Sequence, residues 1–355
     1  MARRWDMLRR VVGPVVGPVY RRVIAARNRG FDAGKGVERL PLPVVSVGNL
    51  STGGTGKTPV VAWLVRRLGE RGVRAVIAMR GYKRDGEGKS DEAEEYGRLA
   101  PGVPVVADPR RLQAVSRFIA ERGIAELDVV VLDDGFQHRQ LHRDVDIVLV
   151  DATRSPFDDR LLPTGDLREP VESLARAAVV IVTHAEAVGP QLTREQCDRL
   201  EKIAPGAVVA ACRHAWRGVS VVDASSEREE PLSWLASRMA MPVCAIGNPH
   251  AFVEEAEKRA HLVEEIVLPD HDPYAEGTVA RVISAARDRG AEVVLTTEKD
   301  WSKLSRVDRE RWPCPVARVK LEMKFEFGEE EVMGAVMKGI GSGEKAQSSN
   351  FKVQG

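Results

Sequence analysis

The sequence has few cysteines, and they are not spaced like metal ligands. No two of the four form a C-x-x-C pair, and no histidine pattern typical of zinc lies beside them. This excludes a recognisable zinc module. We interpret all four as packed free thiols in a reducing compartment. They are Cys197, Cys212, Cys244 and Cys314.

The chain also lacks an excess of one charge. Its 53 basic and 52 acidic residues give a formal net charge of +1, which excludes the strongly basic signature of a general nucleic-acid binder. We therefore predict no nucleic-acid partner. With 355 residues, 43% of them hydrophobic, the chain is long enough for two globular domains.

Long apolar runs are missing as well, and the most suggestive one lies near the N-terminus. Residues 11–20 are apolar but cover about half of the ~20 residues that a membrane-spanning helix needs. Eight arginines and only one acid, Asp6, occur in residues 1–31. We expect residues 1–30 to associate with a membrane surface. The alternatives are a cleaved secretory signal and a basic helix that packs on its own domain.

Short apolar runs alternate with helical patterns along most of the chain, which predicts parallel sheets buried on both faces. The first of these strands leads into a glycine-rich turn that ends in Gly56, Lys57 and Thr58, a phosphate-loop signature. The predicted fold class is therefore α/β, with a P-loop NTPase-like parallel-sheet domain and a second, smaller α/β domain. The predicted divisions are a membrane-associating segment at 1–30, a nucleotide-binding domain at 31–205, a second domain at 206–340 with a linker near 206–231, and a disordered tail at 341–355.

The most informative motif is a glycine-rich turn between an apolar strand and an apolar-periodic helix. It approximates the phosphate-loop pattern G-x-x-x-x-G-K-[ST], with serine where the first glycine is usual. Such a loop surrounds a polyphosphate with backbone N–H groups, while its lysine reaches the β- and γ-phosphates. We predict ATP binding by Ser51, Thr52, Gly53, Gly54, Thr55, Gly56, Lys57 and Thr58.

A second apolar strand ends in two acids, Asp133 and Asp134. Carboxylates at the carboxyl edge of a parallel sheet, beside a phosphate loop, are suited to holding Mg²⁺. The predicted metal site is therefore Asp133 and Asp134 together with the hydroxyl of Thr58. Which acid contacts the metal stays open at this stage. A helical metal pair of His138 and His142 is not favoured, since Gly135 precedes them.

Several further blocks, in order along residues 44–304, resemble the tetraacyldisaccharide 4′-kinase family. The matching stretches are 46–59, 80–82, 133–138, 161–163, 167–170, 247–249, 269–271 and 295–300. The resemblance implies transfer of the ATP γ-phosphoryl group to the 4′-hydroxyl of a tetraacylated glucosamine disaccharide 1-phosphate, a step of lipid A biosynthesis. It also implies a location on the cytoplasmic face of the inner membrane.

The same resemblance implies a proton acceptor and its partner. The matching positions are Asp91, as the general base, and His271, which would orient and tune it. This chain has Ser90 and Ala93 where the family usually has glycine and proline. Asp91 also lies in an acid-rich stretch, so a solvated loop is the alternative for this segment.

Arginines supply the remaining candidates for contacts to phosphate or substrate, because the guanidinium pairs bidentately with phosphate oxygens. The second-tier candidates are Arg80, Arg110, Arg111 and Arg168, together with Glu169, which follows Arg168 and could line the same cleft.

The alternative function is a membrane-associated P-loop ATPase switch that positions partners. Many such proteins have an extra lysine early in the loop, which this chain lacks. A further alternative is a soluble kinase with a small polar acceptor.

Overall fold

In the computed structural model, the described residues are 2–81, 91–247, 249–270 and 272–347. The helices are α1 (Ala2–Asp32), α2 (Lys57–Glu70), α3 (Asp91–Leu99), α4 (Arg111–Arg122), α5 (Pro190–Ile203), α6 (Pro249–Glu257), α7 (Glu276–Asp288), α8 (Glu298–Leu304) and α9 (Glu329–Gln347). The strands are β1 (Val44–Asn49), β2 (Ala75–Met79), β3 (Val105–Ala107), β4 (Val129–Asp133), β5 (Val145–Asp151), β6 (Val179–Thr183), β7 (Val208–Val222), β8 (Glu227–Pro231), β9 (Met239–Cys244), β10 (His261–Leu262), β11 (Ile266–Val267), β12 (Val293–Thr297) and β13 (Val316–Phe327).

The chain forms two compact units. Unit 1 contains Met1–Arg213 and Met323–Gly355, and unit 2 contains His214–Glu322. The predicted division instead placed residues 206–340 together. That the units fold as independent domains stays a prediction.

Unit 1 is built on a parallel sheet with the strand order β7-β6-β5-β1-β4-β2-β3. Every residue of β1, β2 and β6 is buried, as expected for strands covered on both faces. Helix α2 contributes a largely apolar face to the core, including Trp63, Leu64 and Leu68. The predicted α/β class is confirmed.

Unit 2 has its own parallel strands in the order β10-β9-β12-β13, with β11 also paired to β9. Its core includes Met241, Val243, Val282 and Val294. The segment predicted as a linker near 206–231 is largely regular structure. β7 runs through 208–222, and β8 pairs antiparallel with its last residues. Most of β8 is exposed and charged, a composition that suits a sheet edge and also imitates a linker.

Helix α9 corrects the prediction for the C-terminus. It continues to Gln347, seven residues into the predicted disordered tail, while residues 348–355 lie outside the described part. Glutamate, lysine, alanine and glutamine after residue 342 are good helix formers that extend a helix whose earlier turns are packed. Those earlier turns bury Val332, Met333, Val336 and Ile340 in the core of unit 1.

The second half of helix α1 packs against the rest of unit 1. Tyr20 donates a hydrogen bond to the carbonyl of Arg168 (2.9 Å), and Asn28 donates to Glu169 (2.7 Å). The sequence alternative of a basic helix that packs on its own domain therefore describes this half. In the part of the chain that the structure describes, no helix is both long and apolar enough to cross a membrane.

The start of α9 is tied to α2 by one carboxylate. Glu329 accepts hydrogen bonds from the indole N–H of Trp63 (3.1 Å) and from Nε of Arg67 (2.9 Å). The neighbouring Glu330 pairs only with Arg71 among the described residues, and its side chain is 76% exposed. The two glutamates thus occupy adjacent positions with very different surroundings.

We expect Glu329→Ala to lower the free energy of unfolding by about 1–3 kcal/mol, because the buried indole N–H and the Arg67 guanidinium lose their acceptor. Glu330→Ala is the matched control and should cost no more than about 1 kcal/mol, as for exposed ion pairs. Urea denaturation measures both. Equal losses in the two variants would contradict the anchoring role of Glu329.

Candidate active site

The candidate site lies where the central strands of unit 1 end. β1 is hydrogen-bonded to β4 on one side and to β5 on the other, so the chain segments that leave β1, β4 and β5 start at the same sheet edge. In open α/β sheets, ligands bind at this carboxyl edge, beside the point where the strand order reverses. The phosphate loop follows β1, and Asp133 is the last residue of β4.

The phosphate loop is held at both ends. Near its start, the N–H of Thr52 donates to the carbonyl of Asp166 (2.7 Å). Near its end, the hydroxyl of Thr183, which closes β6, donates to the carbonyl of Thr55 (3.0 Å). Gly53 and Gly56 have φ values of 110° and 75°, a region that favours glycine. The loop conformation therefore requires these glycines and leads directly into α2 at Lys57.

Lys57, at the end of the phosphate loop, lies close to Asn49 and Asp134. Its ammonium is 3.3 Å from Oδ1 of Asn49 and 3.7 Å from Oδ1 of Asp134, and its side chain is only 17% exposed. A cation at the first residue of the helix, beside a carboxylate, is placed to meet an anionic ligand on the loop. That Lys57 meets the β- and γ-phosphates stays a prediction.

The turn after β4 is pressed closely against β1. The N–H of Gly135 donates to the carbonyl of Val47 (3.1 Å). A Cβ added to Gly48 would lie 2.6 Å from the backbone nitrogen and Cβ of Phe136, and one on Gly135 would lie 2.5 Å from Oγ of Ser46. Asp134 adopts φ of 50°, a strained value for a residue other than glycine. The absence of side chains at 48 and 135 thus lets the turn bring Asp134 to Lys57.

The two acids have different environments. Oδ2 of Asp133 accepts a hydrogen bond from the Tyr96 hydroxyl (2.9 Å), and burial raises the pKa of the Asp133 carboxyl. Burial also acts to raise the pKa of Asp134, but the charges of Lys57 and Arg168 outweigh it, so this pKa is lowered. Asp134 is therefore the acid stabilised as an anion by neighbouring cations.

The residues present fit a magnesium ion. Oδ1 of Asp133 is buried and has no hydrogen-bond partner among the described residues. The other oxygen of Asp133 is held by the hydroxyl of Tyr96, and Thr58 is the second residue of α2. Within the described ranges, no group of three histidine, cysteine, aspartate or glutamate side chains forms a metal cage. Mg²⁺ in kinase sites takes one or two carboxylates, with phosphates and water as its other ligands.

Two of the predicted arginines reach this edge. The Arg168 guanidinium pairs with both oxygens of Asp134 (3.1 and 3.0 Å) and contacts Oε1 of Gln137. Arg111 is buried and donates to the carbonyls of Asp133 and Asp134 (2.8 and 3.2 Å). These two hydrogen bonds of Arg111 stabilise the turn, and both go to protein backbone.

The other second-tier candidates lie in different surroundings. Glu169 is buried and accepts from Asn28 and Arg176, so it joins α1 to the loop 161–170. Its predicted contact with substrate is thus replaced by a structural one, because a buried carboxylate needs such partners. Arg110 precedes α4 and is exposed, and Arg80 is exposed after β2.

The structure describes the backbone of the predicted base and leaves out its predicted partner. Asp91 is the first residue of α3, which shows that this acid-rich stretch begins a helix, and its side chain lies outside the described atoms. His271 lies outside the described residues. Their roles stay predictions.

Three residues without a predicted role lie at the site. Asn49 accepts from Lys57, Tyr96 donates to Asp133, and a guanidinium nitrogen of Arg154 lies 3.4 Å from where a Cβ on Gly53 would lie. Asn49 could have been suspected as a polar residue that ends an apolar strand. Tyr96 and Arg154 give no such signal, because each comes from a segment distant in sequence.

We expect Gly48→Ala to displace the 134–136 turn, since the added methyl group would overlap Phe136. The free energy of unfolding should fall by about 1–3 kcal/mol or more, and ATP-analogue affinity should drop with it. Gly69→Ala, at an exposed helical position with open space around it, is the control and should be neutral or stabilising. Calorimetric titration and denaturant unfolding test this. Wild-type nucleotide affinity in Gly48→Ala would contradict the proposed fit.

Comparisons with known proteins identify relatives along most of this chain. The family model described as tetraacyldisaccharide-1-P 4′-kinase matches residues 10–339. Tetraacyldisaccharide 4′-kinases of Halothermothrix orenii and Syntrophus aciditrophicus are 34% and 33% identical, covering 75% and 90% of this chain and 75% and 91% of their own lengths. The crystal structure of LpxK from Aquifex aeolicus with ATP matches with a TM-score of 0.69 and 28% identity, covering 94% of this chain and 99% of that one. The chain belongs to the tetraacyldisaccharide-1-P 4′-kinase family.

Proposed function

We propose that the carboxyl edge of β1 and β4 transfers the γ-phosphoryl group of ATP to the 4′-hydroxyl of a tetraacylated disaccharide 1-phosphate. As a family member, the chain is an ATP-dependent kinase of lipid A biosynthesis, and the partner-positioning ATPase switch is set aside. The observation that carries the residue assignment is the meeting of Lys57 with the Asp133–Asp134 turn. One side supplies positive charge for phosphate and the other supplies carboxylate oxygens for a cation.

Charge neutralisation is the first requirement of the reaction. Backbone N–H groups of residues 53–58 and the ammonium of Lys57 would bind the β- and γ-phosphates. Arg168 pairs with Asp134 through its guanidinium Nη1 and so lies beside the turn that follows β4. We propose that Arg168 contributes a further positive charge near the transferred group.

Thr58 and Asp133 are the residues that would hold Mg²⁺. When bound, this ion supplies Lewis-acid charge to the β- and γ-phosphate oxygens. The buried Oδ1 of Asp133 fits that role because it has no hydrogen-bond partner within the described ranges. Asp134 is held by Lys57 and Arg168 and would orient those cations.

The acceptor proton needs a base. In the proposed step, the 4′-oxygen forms a bond to the γ-phosphorus while the bond to the β–γ bridging oxygen breaks and ADP leaves. The hydroxyl proton passes to the carboxylate of Asp91, and His271 orients that carboxylate. Asp91 begins α3, the helix that also carries Tyr96. The proposal is supported by the hydrogen bond from Tyr96 to Asp133, because it ties this helix to the end of β4.

A membrane surface is the proposed location of the reaction, on the cytoplasmic face of the inner membrane. Val16, Val19 and Val23 of α1 are 40%, 56% and 58% exposed, and their spacing places them on one face of the helix. Arg21 and Arg22 are exposed nearby. An apolar helical face beside arginines suits the headgroup region of an anionic bilayer, where the acylated acceptor resides.

The activity test is incubation with labelled ATP, Mg²⁺ and the disaccharide lipid. We expect Lys57→Ala to lose about 10²–10³-fold in kcat/KM, as for loss of one preorganised charge. Asp91→Asn should lose about 10²–10⁴-fold in kcat while ATP-analogue binding is kept. Asp198→Asn, an exposed carboxylate on α5, is the control. Label transfer that is unaffected in Lys57→Ala would refute the loop assignment, and unchanged turnover in Asp91→Asn would remove it as the base.

The membrane test uses co-sedimentation with vesicles. The double change Val19→Glu and Val23→Glu should reduce binding to vesicles containing anionic lipid by about tenfold or more, because it puts two charges on the apolar face. Ile124→Glu, at a position 50% exposed outside α1, should bind as the unaltered chain does. Equal binding of the double variant would show that this face does not meet lipid.

A further inference from the structure

We propose that Tyr96 is a positioning residue for the magnesium site, whose hydroxyl holds Oδ2 of Asp133 and leaves Oδ1 as the free acceptor for the cation. The inference rests on the proposed function, since it assumes that Asp133 holds Mg²⁺. No motif in the sequence assigns Tyr96 a role. It lies five positions after Asp91 in α3 and reads as an ordinary core aromatic residue.

One hydrogen bond joins Tyr96 to the end of β4. Its side chain is fully buried, and its hydroxyl donates to Oδ2 of Asp133 at 2.9 Å. A phenol has one proton to donate, and here that proton is directed to the carboxylate. Tyr96 therefore connects α3 to the last residue of β4.

This bridge decides which atoms remain for a cation. Oδ2 of Asp133 is occupied by Tyr96, and Oδ1 is buried without a hydrogen-bond partner in the described part of the chain. Because Oδ2 is held by Tyr96, the orientation of the carboxylate is set, and Oδ1 is the oxygen that stays available. Mg²⁺ demands near-ideal octahedral geometry, so fixing one oxygen ligand in advance favours its binding.

Packing alone does not account for a tyrosine at this position. A buried hydroxyl costs free energy unless it is hydrogen-bonded, and phenylalanine would fill almost the same volume. Here the partner of the hydroxyl is a candidate metal ligand.

Tyr96 also fixes the helix that begins at Asp91. Five residues of α-helix span about 7.5 Å along the axis, and α3 packs against α2 and β3. The hydrogen bond from Tyr96 to Asp133 thus holds α3 beside the end of β4. The same helix carries Asp91, the residue assigned as base.

The decisive experiment compares binding of a non-hydrolysable ATP analogue with and without Mg²⁺. For Tyr96→Phe we expect about five- to tenfold weaker binding with Mg²⁺, a higher Mg²⁺ half-saturation concentration, and unchanged binding in EDTA. Thr193→Val is the matched control: it removes another buried hydroxyl of unit 1, which donates to the carbonyl of Gly189 (2.8 Å). It should bind as the unaltered chain does under both conditions.

Each outcome has a meaning. Unaltered Mg²⁺-dependent binding in Tyr96→Phe would overturn the inference, and an equal loss with Mg²⁺ and in EDTA would assign Tyr96 to packing alone. In an Asp133→Asn background, Tyr96→Phe should add little, because the hydroxyl acts through that carboxylate. If the unaltered chain binds the analogue no better with Mg²⁺, the proposed metal assignment itself fails.

A second measurement needs no variant at position 96 in the assay. With 3-fluorotyrosine incorporated, the fluorine resonance of Tyr96 should shift when Mg²⁺ is added to analogue-saturated protein, because its hydrogen-bond acceptor Asp133 becomes a metal ligand. Assignment uses the resonance missing from the spectrum of Tyr96→Phe. A resonance that does not move on Mg²⁺ addition would contradict the inference.

Discussion

The close approach of the 134–136 turn to the end of β1 is the constraint on which the site depends. No side chain fits at Gly48 or Gly135, and the N–H of Gly135 is bonded back to β1. Because the backbones meet there, Asp134 is held in a left-handed conformation that its local chemistry does not favour. Strain of this kind persists only where surrounding contacts over-determine it, and here it brings a carboxylate to the lysine of the phosphate loop.

The two acids of that turn are held by different groups. Lys57 and Arg168 lower the pKa of Asp134, and Arg111 donates hydrogen bonds to the carbonyls of the same turn. Asp133 differs, because its support comes mainly from a neutral phenol and burial raises its pKa. A carboxylate stabilised only in part by the protein gains most from a bound cation. The difference between two adjacent acids therefore assigns the metal to Asp133 under our proposal.

How much was predictable follows from where each signal lies in the chain. The strand ends, the loop with Lys57 and the paired acids are local patterns, so the α/β fold and the phosphate loop could be predicted from sequence. The β7–β8 hairpin was mistaken for a linker, since the charged edge strand β8 has the composition of one. Tyr96, Arg111 and Glu169 depend on contacts between distant segments. Nothing in their local sequence distinguishes a support, such as buried Glu169, from a residue that meets substrate.

The discontinuity of unit 1 has a consequence for how the molecule is made. The core around α2 is completed by Val332, Met333 and Val336, and Glu329 reaches back to a tryptophan more than 260 positions earlier. During synthesis, part of the apolar surface of unit 1 therefore stays exposed until residues 329–340 have left the ribosome. Unit 2 emerges in that interval. Nascent chains of this protein should consequently depend on chaperones for longer than a protein whose nucleotide domain is contiguous.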